Sequence, residues 1–73
     1  MFEIGHIVRI PTNDLGTPLY WGWCTRNTWS ISQTTSLAII IKCVNVDEED
    51  QWLTVVTGRG NYVIYGKFIQ TII

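Results

Sequence analysis

The chain has 73 residues, of which 47% are hydrophobic and 15% charged, and its formal net charge is -1. That length specifies a single domain, 1–73, near the lower limit at which a chain buries enough apolar surface to fold unaided, and the near-neutral balance excludes a chain-wide attraction to nucleic acid or anionic lipid. So few charges on so apolar a chain leave hydrophobic side chains on the surface, where contiguous patches mark contact with another molecule.

Phe2, Ile4, Val8 and Ile10 alternate with Glu3, Gly5 and Arg9, the period-two pattern of a first strand with one buried face. Pro11, which has no N–H for a ladder, is expected to end it. Asn13, Asp14, Gly16 and Pro18 then mark a long loop over Pro11 to Leu19. Tyr20 to Arg26 is predicted as a second strand, with Tyr20, Gly22 and Cys24 on one face and Trp21 and Trp23 on the other. The hydroxyl-rich stretch Asn27 to Ser36 follows as a loop, with Trp29 and Ile31 as its apolar anchors.

Leu37 to Val46 is the most continuously apolar and β-branched segment and is predicted to be the central strand. Lys42 marks the solvent face, so Ile39, Ile41 and Cys43 are expected inside and Ala38, Ile40 and Val44 outside. Asp47 to Glu49 then makes a turn into a strand over Gln51 to Thr57. Opposed residues of a hairpin share a face, which sets Val44 against Trp52, Lys42 against Thr54 and Ile40 against Val56, with Cys43–Leu53 and Ile41–Val55 as inner pairs. Gly58 to Asn61 reads as a tight turn using positive φ at both glycines, Tyr62 to Tyr65 as a short strand, Gly66 to Phe68 as a brief turn and Ile69 to Ile73 as the closing strand. No stretch has the 3.6-residue period of an amphipathic helix. The expected fold is all-β, with five to six short antiparallel strands and no substantial helix.

That order of strands, with a long first loop and a tight turn before the last strand, resembles the small SH3-like barrel. Gly5-His-Ile-Val-Arg-Ile10, followed by Gly22-Trp-Cys24, resembles the opening of the KOW-type variant of that fold. His6 stands where that family has Asp, and the following loop lacks the glycine and lysine pattern with which KOW modules contact nucleic acid, so the resemblance implies the fold without implying RNA or DNA binding. The short, aromatic-rich chain also resembles the small accessory proteins of bacteriophages.

The alternation gathers Trp21, Trp23, Ile40, Val44, Trp52 and Val56 on the outer face of neighbouring strands, an expected partner-binding patch of the kind in which tryptophan concentrates binding energy. The opposite assignment of strand two would put Trp21 and Trp23 in the core instead. Arg59, between Gly58 and Gly60, offers backbone N–H groups and a guanidinium to a phosphate, with Tyr62 and Tyr65 available to stack on a nucleotide. Asp47, Glu48, Glu49 and Asp50 form either a solvated hairpin tip that blocks edge aggregation or a docking element for a basic surface. His6, Asp14 and Cys24 are the raw material for a Cys-His nucleophile, but nothing in the sequence brings them together, and the two cysteines lack zinc-binding spacing. No cofactor, no metal and no enzymatic activity are expected.

The N-terminus has charges interrupting its apolar residues, unlike a signal peptide, and no apolar run reaches the ~20 residues of a membrane span. The expected setting is the cytoplasm, that of the host if the chain is phage-encoded. The first functional reading is a non-enzymatic binding protein that self-associates or grips, and inhibits, a host protein, as in phage counter-defence. The second is sequestration of a nucleotide-like anionic ligand. The third is nucleic-acid binding through Arg9, Arg26, Lys42, Arg59 and Lys67.

Overall fold

A computed structural model describes residues 2–22, 34–46 and 50–73. The fold is all-β. Five antiparallel strands, β1 (Ile7–Thr12), β2 (Thr34–Asn45), β3 (Gln51–Thr57), β4 (Gly60–Tyr65) and β5 (Thr71–Ile72), form one sheet in the order β4-β3-β2-β1-β5. β2 occupies the middle, as the β-branched run over Leu37 to Val46 predicts. A single 3-10 turn, Gly66–Phe68, connects β4 to β5. One face of the sheet carries the core, Val8, Ile10, Ala38, Ile40, Leu53, Val55 and Ile64, with Phe2, Cys43, Tyr62, Phe68 and Ile69 packed against it. Full burial of a side chain of this kind contributes about 1.5–3 kcal/mol. These flanking side chains cover part of that face.

The phase of β2 changes at Ile41. Ile40 opposes Val55 and Lys42 opposes Thr54, which leaves Ile41 as an extra residue in a bulge. Beyond it the expected pairs Lys42–Thr54, Cys43–Leu53 and Val44–Trp52 are present. Before it the inner and outer sets are exchanged: Ala38 and Ile40 are buried while Ile39 and Ile41 are exposed, and the actual pairs are Ile40–Val55 and Ile39–Val56. One inserted residue reverses every side chain on one side of itself, because the strand period is two.

Several boundaries also differ from the sequence expectation. Pro11 does not end β1, which continues to Thr12. The Pro11 carbonyl points away from β2 and accepts the Leu19 N–H at 3.1 Å, so the amide that proline lacks would have faced the same way and the β1–β2 ladder loses nothing. The first strand starts at Ile7, after a turn in which the Glu3 carbonyl accepts the His6 N–H. Tyr20 to Gly22 is bend and turn instead of strand, and Thr34 to Ser36 belongs to β2 instead of the loop before it. The remainder of the predicted second strand, and the hydroxyl-rich loop before Thr34, lie outside the described residues. In the β3–β4 turn only Gly60 has positive φ, +125°, a region that L side chains rarely adopt; Gly58 does not need it.

Polar bonds finish both ends of the core. At one end the buried Gln51 amide accepts the Phe2 N–H at 2.8 Å and donates to the Phe2 carbonyl and to Asn45 Oδ1, both at 3.1 Å. This pair of hydrogen bonds to one residue's backbone imitates a sheet ladder and seats the Phe2 ring against Gly66, where a Cβ would lie 3.1 Å from the ring. At the other end the buried Thr12 hydroxyl bonds those of Thr34 at 3.0 Å and Ser36 at 3.2 Å.

Ile40→Ala is expected to cost about 2–5 kcal/mol and Ile39→Ala less than about 1 kcal/mol in urea unfolding; the reverse order would contradict the phase change. Gln51→Ala is expected to lower stability by about 1–3 kcal/mol by stranding the Phe2 amide and carbonyl, and an unchanged urea midpoint would show that water replaces these bonds.

Candidate interaction surface

The outer face of the sheet is built from cross-strand rows. Ile7, Ile39 and Val56 stand opposite one another on β1, β2 and β3, and Arg9 stands beside Leu37 at the next outward position. On the other side of the bulge come Lys42, Thr54 and Val63, then Val44, Trp52 and Tyr65. Ile7, Leu37, Ile39, Val44, Val56 and Val63 are all exposed, with Leu37 at 53% and Ile39 at 46%. β-branched residues are at home on a pleated surface, but a solvated sheet face normally alternates apolar with polar. Here one row, Ile7–Ile39–Val56, is apolar across three strands.

Aromatic rings gather at the far end. Trp52 and Tyr65, a directly opposed pair, have ring centroids 3.7 Å apart. The Lys67 ammonium sits 5.3 Å from the Tyr65 ring and 5.4 Å from that of Phe68, within cation–π reach of both. Tyr20 stacks on Phe68 at 4.4 Å, and Trp21 meets Tyr62 at 6.0 Å. The Gly22 N–H donates to the Val63 carbonyl at 2.8 Å, which brings the Tyr20 to Gly22 part of the connection between β1 and β2 alongside β4. Between that connection and the sheet lies a groove of about 480 Å³, lined among the described residues by Gly22, Val44, Trp52 and Val63.

Of the expected patch, Val44, Trp52 and Val56 lie on the outer face. Ile40 does not. It is fully buried in the core, because the bulge reverses the phase of β2 before Lys42. Trp21 is exposed on the long connection, not on a strand of the sheet, and Trp23 lies outside the described residues. The expectation missed Ile7, Leu37, Ile39, Val63 and Tyr65. Ile7 was the available signal, an apolar residue at the same parity as the outward Arg9.

Arg59, Tyr62 and Tyr65 do not converge. Tyr62 opposes the inward Val55 and packs against the core, Tyr65 opposes the outward Trp52, and Arg59 lies just before the opposite end of β4, roughly 20 Å from Tyr65 at the rise of a strand. The Arg59 side chain instead turns to the first loop, where its Nε donates to the Leu15 carbonyl. That loop is held by the Asn13 side chain, whose Oδ1 accepts the N–H groups of Leu15 at 2.9 Å and Thr17 at 3.0 Å.

The acidic run falls in the connection between β2 and β3; of it only Asp50 lies among the described residues, its carbonyl accepting the Val46 N–H at 3.0 Å. His6 Nδ1 accepts the Glu3 N–H at 3.1 Å, which places the neutral ring's proton on Nε2. Partial burial, and secondarily the Glu3 carboxylate, raise the pKa of the Cys43 thiol, which leaves it a poorer nucleophile than a solvated cysteine. Its Sγ points at the Phe2 carbonyl, 3.7 Å away. Cys24 lies outside the described residues.

Comparison with known proteins finds no matching family model, no matching curated protein and no matching solved structure. No helix among the described residues is long and apolar enough to cross a membrane.

Proposed function

We propose that the chain is a non-enzymatic binding module whose working surface is the outer face of the sheet and whose partner is a protein, a second copy of the chain or a different one. The observation that carries this reading is the row Ile7–Ile39–Val56 with Leu37 beside it, aliphatic side chains held in register by the strand ladders and left in water. A rigid face loses little conformational entropy on association, so its buried area converts to affinity more fully than a mobile loop's does. The strand order and the 3-10 turn before the last strand support the SH3-like resemblance, and the setting we propose is the cytoplasm, with a host protein as target if the chain is phage-encoded.

The groove beside Trp52 favours a second reading, small-ligand binding, since about 480 Å³ is within the range of ligand sites. Its described walls are apolar and offer no charge to a phosphate, so it suits a flat apolar ligand better than a nucleotide.

Selection of random peptides on the wild-type domain is expected to enrich sequences that lose at least tenfold in affinity for an Ile39→Glu variant, which keeps its far-ultraviolet circular dichroism because Ile39 is outside the core. Enriched peptides that bind wild type and variant equally would place recognition elsewhere.

A further inference from the structure

Within the five strands of the described structure only two residues are charged, Arg9 and Lys42. Both are basic, and both point outward. They bracket the aliphatic row. Arg9 stands beside Leu37 on one side of Ile7–Ile39–Val56, and Lys42 follows on the other, five positions along β2 and so roughly 15 Å away. Arg9 Nη1 makes a long contact, 3.4 Å, to Thr35 Oγ1, and neither cation has a carboxylate partner among the described residues. Thr54, Asn61 and Thr71 supply other polar groups of these rows, and all three are neutral.

We infer that the outer face is shaped for a different protein, one that presents apolar side chains flanked by carboxylates. This inference rests on the binding-module reading above. Two copies meeting through this face would bring cations and aliphatic groups together with no strand carboxylate to answer them, and like charges brought together across an interface are a barrier to the wrong partner. A carboxylate at each end of an apolar segment would satisfy both cations and set its register along β2. Nucleic acid fits less well. The centre of the face is aliphatic and offers no ring on which a base can stack, while Trp52 and Tyr65 are already packed on one another at 3.7 Å.

The test uses synthetic amphipathic peptides of roughly 15 residues, long enough to form a helix on binding. Three share one leucine face and carry flanking glutamates, glutamines or lysines, and each is titrated into the full chain with backbone amide shifts as the readout. The glutamate peptide is expected to bind at least tenfold more tightly than the other two and to shift the amides of Ile7, Ile39 and Val56, and an Arg9→Glu/Lys42→Glu double variant is expected to reverse the order in favour of lysine. Equal binding of all three at this face overturns the charge inference and leaves the binding-module reading standing. Failure of all three, or binding that survives Ile39→Glu, overturns both. Tighter binding of oligothymidylate than of the glutamate peptide assigns the face to nucleic acid, and a dimer through this face that the glutamate peptide does not dissociate assigns it to a second copy; either result overturns the proposal.

Discussion

The bulge at Ile41 is the constraint from which the rest of the structure follows. β2 is twelve residues long and pairs along both edges, with β1 over its first half and with β3 from Ile39 to its end. An unbroken strand would present one parity to the core throughout, so burying Cys43 beside Leu53 would bury Ile41 and Ile39 and expose Ala38 and Ile40. The extra residue allows Ala38 and Ile40 to join Val8, Val55 and Ile64 in the core while Cys43 still packs against it. Small Ala38 opposite Val8 and large Ile40 opposite Val55 then fill the interior. Bulges bend and twist the strand that carries them.

The same phase change makes the candidate surface. Ile39 becomes an outward residue between Ile7 and Val56, and the apolar row across three strands exists only because of it. Lys42 is returned to solvent one step later, beside Thr54. A domain of this size has few inward positions, and the polar closures at its two ends, Gln51 on Phe2 and the Thr12 hydroxyl cluster, take some of the space that further apolar side chains would need. Part of the surplus of hydrophobic residues in the composition is therefore carried on one ordered face, with the cations at its margins, while Ile4, Leu15 and Ile73 are exposed elsewhere.

Much of this was legible in the sequence, and the parts that were not have identifiable causes. The β-branched run marked the middle strand. The pairing of Val44 with Trp52 and Lys42 with Thr54 followed from a short turn and a shared face, both local properties. The bulge was hidden because Leu37 to Cys43 is apolar at every position except Lys42, so no alternation exists within it to show where the phase changes. Pro11 misled because the rule against proline in strands applies to an N–H aimed at a neighbouring strand, and the direction of that N–H depends on a register the local sequence does not reveal. The Tyr20 to Gly22 segment has strand-like residues yet runs past the edge of β4, held by the Gly22–Val63 bond and by ring contacts to Tyr62 and Phe68, tertiary contacts with no local signature. Likewise Gly58, Arg59 and Gly60 resembled an anion-binding turn, whereas the guanidinium is committed to the Leu15 carbonyl of a loop forty-four residues earlier in the chain.

The candidate surface is thus decided by the backbone register of one strand more than by any motif. Cross-strand nuclear Overhauser contacts between β2 and β3 test that register most directly. The account predicts contacts from Ile40 to Val55 and from Lys42 to Thr54, with Ile41 lacking an opposite residue. An unbroken ladder, with Ile41 against Val55 and Ile40 against Val56, would contradict it and move Ile39 from the surface into the core.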